Sequence, residues 1–484
     1  MPTLKIAIQG CCHGELNKIY STLPSQTELL LIGGDFQSIR TPTDLSTLNV
    51  PNKYKKLGDF PDYYHGKKLA PVLTIFIGGN HECSSYLQEL KYGGWVAPNI
   101  YYLGEFGSVW YKGIQICGWS GIFNYSTFMK NDLYVEKVPY DNWSIRSVYH
   151  QKLNNFVKMY MMNHDLDVVL SHDWPIGIEV YGNKAGLLKR KPFFREDIEK
   201  GELGSPLNKF LLHYLRPRFW YSAHLHTKFE AIVEYKQEND SGKKGDVKNK
   251  EAIELDMDEP ETTTKNAAEI SLDMDDELPI SKNRDELSLD MDDEGPSTSE
   301  NEIPLDIDQS QAKQFEQTLH VSPIRPPQQT SKRLSTTTTT TQFLALDKCG
   351  RARHHITSRE IEIVHTDHPS YKNPGKLYYS KRSIAINKTV ENYLSSHSMN
   401  FKSINTRKII QDPYNLVLVN ELLPLVNLEL NKLNKLPEED FIIPENFQKV
   451  DNIDKNKEVR YYPNNQTQEY CDRFQIPFPG VFTP

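Results

Sequence analysis

The chain has 484 residues, 56 basic and 64 acidic side chains and a net charge of −8, which is long enough for two or three domains around one large core. Its six cysteines (Cys11, Cys12, Cys83, Cys117, Cys349, Cys471) lack paired-framework spacing and are too few to staple a chain of this length. The opening MPTLKIAIQG has no long apolar core of the signal-peptide kind, and no other apolar run could span a bilayer; a soluble, intracellular protein with reduced thiols and no membrane partner is expected.

From Met1 to about Tyr235, short β-type runs alternate with polar and helical stretches. The runs are LKIAI, ELLLI, VLTIFI, IQIC, VVL and FWYS, then the alternating FEAIVEY, which is the rhythm of a layered α/β domain. From Lys236 to about Thr341 the character changes. Residues 238–310 carry 24 acidic and 7 basic side chains, a net of −17, so the rest of the chain sums to +9. A basic remainder suits a polyanionic partner, and it is equally what an ordinary solvated surface carries. The acidic stretch contains an imperfect repeat whose LDMD or LDID cores begin at Leu255, Leu272, Leu289 and Leu305, and a run of threonines (Thr336 to Thr341) closes it. Each unit offers too few apolar side chains to offset the entropy of ordering, and the glycine and closing glutamate of a calcium loop are missing. Residues 236–342 therefore read as a disordered acidic insertion, open to a protein partner.

A strand enters that insertion (FEAIVEY) and a strand leaves it (FLALDK, then REIEIVH), so the simplest topology pairs the two flanking strands as neighbours. Beyond Ser380 the pattern turns helical, in VENYL, NLVLVNELLPLVNLELNKL and PEEDF. The tail from Tyr461, rich in Pro, Asn and aromatics, is expected to lie over the surface. The division is thus a layered α/β domain at 1–235, the insertion at 236–342, and a mixed, mainly helical C-terminal domain at 343–484.

Five short motifs close apolar runs: Gly10-Cys11-Cys12-His13-Gly14, Gly33-Gly34-Asp35, Gly79-Asn80-His81-Glu82, Ser171-His172-Asp173-Trp174-Pro175 and Ser222-Ala223-His224-Leu225-His226. Residues just past the C-terminal ends of strands in an α/β sheet converge on one crevice. One such motif alone is weak, because a histidine there can simply hydrogen-bond a carbonyl. Five in order bring O, N and S donors together in the manner of a metal site.

This order of motifs resembles the calcineurin-like metallophosphoesterases, which fold as an αββα sandwich. It departs from their pattern at Cys11, where an aspartate is usual, and at Ala223, where a glycine is usual. QGCCHGELNKIY, GGDFQSIR, GNHECSSYL, GWSGIF, IRSVYH, SAHLHTKFEA and FLALDKC resemble the lariat debranching branch of that family. The resemblance implies two divalent ions, iron(II) and/or zinc, with manganese able to substitute. One would take Cys11, His13, Asp35 and His226; the other would take Asp35, Asn80, His172 and His224. Hydroxide activated between the ions would attack the phosphorus with His81 as general acid. A thiolate at Cys11 favours the softer ions, although the residue could instead be a small apolar filler. Cys12 is expected to point into the core.

The implied reaction is hydrolysis of the 2′-5′ phosphodiester at the branch point of excised intron lariat RNA, a step of intron turnover in mRNA processing, with the nucleus as the expected place and the cytoplasm as a second. The implied lariat recognition loop is 124–154, where Tyr125, Phe128, Tyr134, Tyr140 and Trp143 interleave with Lys130, Lys137 and Arg146. Tyr125, Tyr134, Tyr140, Trp143 and Arg146 are the candidate RNA contacts, since aromatic faces stack unpaired bases and cations hold phosphates. A loop packed by its own aromatics is the competing reading. The alternatives for function are another calcineurin-like enzyme, a nuclease or a phosphatase, and a non-catalytic scaffold on the same fold.

Overall fold

The computed structural model describes residues 1–130, 135–164, 166–235, 339–397, 417–450, 453 and 458–482. The acidic insertion, apart from its last four residues, therefore lies outside the described residues. Among the described residues, thirteen strands form two sheets. The first holds β1 (Thr3–Gln9), β2 (Leu29–Ile32), β3 (Leu73–Phe76), β4 (Gly94–Ala97), β5 (Ile100–Tyr102) and β12 (Ile356–Glu362), in the order β12-β1-β2-β3-β5-β4. The second holds β6 (Phe106–Tyr111), β7 (Ile114–Trp119), β8 (Val168–Ser171), β9 (Phe219–Ser222), β10 (Phe229–Glu234), β11 (Thr340–Ala345) and β13 (Leu377–Tyr379), in the order β10-β11-β9-β8-β7-β6-β13.

The apolar runs are continuous because both faces of these strands are buried. Successive side chains point to opposite faces. Leu4, Ile6 and Ile8 of β1 and Leu29 and Leu31 of β2 thus enter the layer between the sheets, where they meet Ile114, Ile116, Val168 and Leu170. Ala7, Leu30, Ile32 and Phe76 face the other way, beneath Leu16, Ile19 and Tyr63. Val169, Cys117 and Trp220 face outward on the second sheet, under the helices Leu153–Tyr160, Pro206–Leu215 and Lys381–Ser396. Full burial of each such Leu or Ile contributes about 1.5–3 kcal/mol. The result is the αββα sandwich expected above. The outer helices are set by local signals: Ser205 accepts from the Asn208 N–H with Pro206 in the first turn, and Ser380 accepts from the Ser383 N–H.

The strands flanking the acidic insertion pair as expected: β10 lies antiparallel to β11, with Ala231 opposite Phe343. What the sequence reading did not anticipate is that β11 also pairs in parallel with β9, so the returning strand is interior and β10 is the edge. β12 then pairs antiparallel along the whole of β1, and β13 pairs with β6. The segment 343–484, set apart above as a C-terminal domain, thus supplies strands to both sheets. Sequence distance hides this, because pairing depends on matched alternation and not on proximity in the chain. The tail also differs from the expectation of a surface strap. It forms a helix, Asn465–Phe474, whose Tyr470 and Phe474 are buried with ring centroids 5.2 and 5.7 Å from Tyr379.

Candidate metal centre

β1, β2 and β3 run parallel in one sheet, and β7, β8 and β9 run parallel in the other. Their C-terminal ends deliver Cys11 and His13, Asp35, Asn80 and His81, His172, and His224 and His226 to one end of the sandwich. Backbone bonds lace these turns together: the Gly33 N–H donates to the Gln9 carbonyl (3.0 Å), His13 N–H to Asp35 (2.6 Å), and Ala223 N–H to His172 (3.0 Å). His13, Asp35, His224 and His226 all sit at positive φ, between 45° and 60°. Four non-glycine residues in that region at one site mark a backbone held against its preference. The space is tight enough to require two glycines. A Cβ on Gly34 would lie 2.3 Å from His172 Nδ1, and one on Gly79 would lie 2.2 Å from Asp35 Oδ1.

Cys11 Sγ, a His13 ring nitrogen, an Asp35 oxygen and a His226 ring nitrogen lie within 4.8 Å of one another. Four donors bound about 2.0–2.3 Å from one tetrahedral ion lie about 3.3–3.8 Å apart, so this set would draw together by up to about 1 Å to hold one. His13 Nε2 and His226 Nε2 approach to 3.2 Å, and Asp35 Oδ2 is 3.6 Å from His13 Nε2. The other oxygen, Asp35 Oδ1, is 3.3 Å from His172 Nε2, which is 3.1 Å from Asn80 Oδ1. The His224 ring packs beside His172, centroids 5.0 Å apart, and the His224 N–H donates to Cys11 Sγ at 3.3 Å. Asp35 therefore divides its oxygens between two donor groups, as a carboxylate shared by two ions would.

Electrostatics agree with that donor set. Burial drives His13 down to about 4 against the pull of Asp35, and burial together with His13 holds His226 well below its ordinary range. Both imidazoles are thus neutral and able to offer lone pairs. Burial works against the Asp35 charge, but His172, His81 and His13 outweigh it and hold the carboxyl well below the usual carboxylate range. Burial would lower His172 as well, yet Asp35 and the Gly33 carbonyl raise it. Burial and the Asp35 charge push the Cys11 thiol well up, so it needs a cation to become a thiolate.

Two family models match the chain: calcineurin-like phosphoesterase over residues 4–228, and the C-terminal domain of lariat debranching enzyme over residues 338–479. Residues 4–228 thus carry a calcineurin-like phosphoesterase domain. It is 50% identical over 246 residues to the lariat debranching enzyme of Homo sapiens (49% of this chain, 45% of the relative). With the lariat debranching enzyme of Schizosaccharomyces pombe the identity is 46% over 241 residues (50% and 52%), and with that of Drosophila melanogaster 49% over 253 residues (51% and 46%). The chain spans about half the length of these curated relatives.

Within this calcineurin-like phosphoesterase domain the two departures from the family pattern acquire reasons. Cys11 is fully buried and close to its three neighbouring donors, whereas Cys12 packs in the outer core. Ala223 presses its Cβ on Gly33, where an added Cβ would sit 2.9 Å away; the glycine is needed across from it instead. His81 stands beside both donor groups. Its N–H donates to Asp35 Oδ1 (2.9 Å), its Nδ1 meets the Asn49 carbonyl (3.0 Å), and its Nε2 meets Asn80 Nδ2 (3.1 Å). That pairing assigns the proton to Nδ1 and turns the Nε2 lone pair toward the site.

Sequence reasoning passed over several supporting residues. Glu82 accepts from the backbone N–H groups of Phe36 (2.7 Å), Gln37 (2.8 Å) and Gly79 (3.1 Å), binding the Asp35 turn to the Asn80 turn. Burial and Asp35 push it up to about 8 despite those donors. A carboxylate inside an otherwise metal-ligating motif was the available signal. Asn49, whose carbonyl holds His81, sits in no motif at all.

Of the candidate RNA contacts, Trp143 is 42% exposed and Arg146 is exposed, whereas Tyr125 is half-buried against the core of the second sheet. The Tyr140 hydroxyl donates to Gln88 Oε1. Phe128 is buried against Phe156, centroids 5.9 Å apart, so one of the interleaved aromatics is core and not platform. Tyr134 lies outside the described residues. The loop joins the metal end through Tyr149, whose hydroxyl accepts from Asn49 Nδ2 at 2.7 Å. Among the described residues, no helix is long and apolar enough to cross a membrane.

Proposed function

We propose that this chain hydrolyses the 2′-5′ phosphodiester at the branch point of lariat RNA, using two divalent ions at the strand-end cluster. The observation that carries the reaction class is the buried Asp35 carboxylate, with Oδ2 toward His13 and Oδ1 toward His172. The substrate is supported by relatives that are named lariat debranching enzymes and are about half identical over the matched region. At a branch the 2′-oxygen is already esterified, so the internal attack that cleaves ordinary RNA is closed and an external water is required. Ions bound at the cluster would supply activation of that water and charge stabilisation at the phosphate.

The chain's residues do the rest. Cys11, His13, Asp35 and His226 would hold one ion, and Asp35, Asn80, His172 and His224 the other. The sulfur donor favours iron(II) or zinc, with manganese as a weaker substitute. His81, oriented by the Asn49 carbonyl, delivers a proton from Nε2 to the departing 2′-oxygen. Once protonated there it repels Asn80 Nδ2, so that contact gives way to the leaving oxygen. Trp143 and Arg146, exposed on the loop, are placed to stack and to hold phosphate. The working place we propose is the nucleus, where introns are excised, with the cytoplasm second, and the acidic insertion is an arm for a protein partner.

Cleavage of a synthetic branched RNA beside a linear RNA and a phosphoprotein tests this reading. Selective opening of the 2′-5′ linkage is expected, falling about 10²–10⁴-fold in His81→Ala with bound ions retained. A metal-loaded protein that cleaved only linear RNA or the phosphoprotein would instead be another member of the superfamily.

A further inference from the structure

The turn between β11 and β12 is pinned against the metal end. The Asp347 N–H donates to the His354 carbonyl (3.2 Å), closing the loop that crosses from one sheet to the other. The Cys349 N–H donates to the Cys11 carbonyl (2.9 Å), and the Gly10 N–H to the His355 carbonyl (2.9 Å). Gln9 ties both sides, meeting His355 Nδ1 at 2.8 Å and donating to the Cys11 carbonyl at 3.1 Å. The approach is so close that a Cβ on Gly10 would lie 2.1 Å from the Asp347 carbonyl oxygen.

The tip held this way reads Lys348-Cys349-Gly350-Arg351-Ala352-Arg353, three cations and no acid in six residues. Asp347, the acid beside it, accepts from Arg353 (3.0 Å) and from the Lys348 N–H (2.7 Å). Among the described residues no ion pair engages Lys348 or Arg351; the first is half-buried and the second exposed. The β11–β12 loop thus flanks the cluster from the Cys11 side, while the loop bearing Trp143 connects through Tyr149 and Asn49 to His81. A cationic rim beside a phosphoester-cleaving centre has one evident ligand chemistry, the next phosphate along a polynucleotide.

We propose that the tip of the β11–β12 loop is a second RNA-contacting surface, on which Lys348 and Arg351 grip backbone phosphates flanking the scissile linkage. This rests on the debranching reading above. The contact is independent of base sequence, and it gives the C-terminal segment a part in substrate binding beyond completing the sheets.

The test is the salt dependence of binding to a branched RNA with a non-hydrolysable branch linkage, with ion content and thermal unfolding measured on every sample. In Lys348→Gln/Arg351→Gln, affinity at low salt is expected to fall roughly tenfold or more. The slope of log Kd against log salt should become shallower by about two, about one for each phosphate no longer gripped. Lys348→Arg/Arg351→Lys should keep the wild-type slope. Arg351→Gln alone, at an exposed position, should make the slope shallower by about one and serves if the double variant does not fold. A wild-type slope in the glutamine variants, or weakened binding seen only together with lost ions, would overturn the inference. Failure of wild type to cleave the hydrolysable branched RNA would instead remove the debranching reading, so the two failures are separable.

Discussion

The two halves of the metal end are wired differently, although Asp35 serves both. In the half built on β8 and β3, His172 is fixed at both ring nitrogens: Nδ1 meets the Gly33 carbonyl at 2.7 Å, while Nε2 meets Asp35 and Asn80. In the half built on β1, His226 Nδ1 is buried without a hydrogen bond among the described residues, and His13 Nδ1 has only Gln37 Nε2 at 3.4 Å. An imidazole whose far nitrogen is held by a carbonyl keeps its tautomer and orientation before any ion arrives. The Cys11–His13 half lacks that support and relies on a thiol that is protonated until a cation displaces the proton. The contrast is therefore between His172, which hydrogen bonds orient in advance, and Cys11, His13 and His226, which an ion would organise.

The largest effect that would break the distinction is at the shared residue. Asp35→Asn removes a charge from both halves at once, and hydrolysis should fall roughly 10³-fold or more with both ions lost, read by turnover and elemental analysis. Gly79→Ala should separate the halves. Its Cβ would meet Asp35 Oδ1 at 2.2 Å and His172 Cε1 at 2.6 Å, so the His172 half should lose its ion first, at a stability cost of about 1–3 kcal/mol by thermal unfolding.

Cys11→Ser sharpens the contrast through pH. Loading the wild-type Cys11–His13 half displaces the Cys11 proton from a thiol held well above its ordinary range, so ion affinity there should rise with pH across neutrality. In the serine variant that proton is gone. Affinity should fall about tenfold or more for zinc and become flat with pH, until His13 protonates as the pH drops toward about 4. Titrating ion affinity in both proteins checks this, and parallel slopes would mean that Cys11 is only filler. The smallest effect is expected from Gln37→Ala, which removes the one polar neighbour of His13 Nδ1 and should weaken ion binding in that half about two- to threefold.

Much of this centre was legible because its chemistry is local to strand ends. Apolar runs followed at once by glycines and ligating side chains need no tertiary information to be read as strand, turn and donor. The supporting residues were not legible for the opposite reason. Asn49 acts through its backbone carbonyl, for which any residue would serve, and Glu82 acts by accepting from amides 45 and 46 positions away. The loop 124–154 was legible only as composition. Phe128 and Trp143 are both aromatics in a basic stretch, and only packing sends the first into the core and leaves the second on the surface.

The sequence by itself determined the layered α/β class, the strands, the five ligand-bearing turns and the pairing of the two strands that flank the acidic insertion. These depend on side-chain alternation and on glycine at tight turns, which are properties of short segments. Only the tertiary structure decided that β11 lies inside the second sheet, that β12 runs beside β1, and that a basic loop from the C-terminal segment rests against Cys11. Those placements depend on which buried edges match across more than a hundred residues of intervening chain, and no local pattern records that.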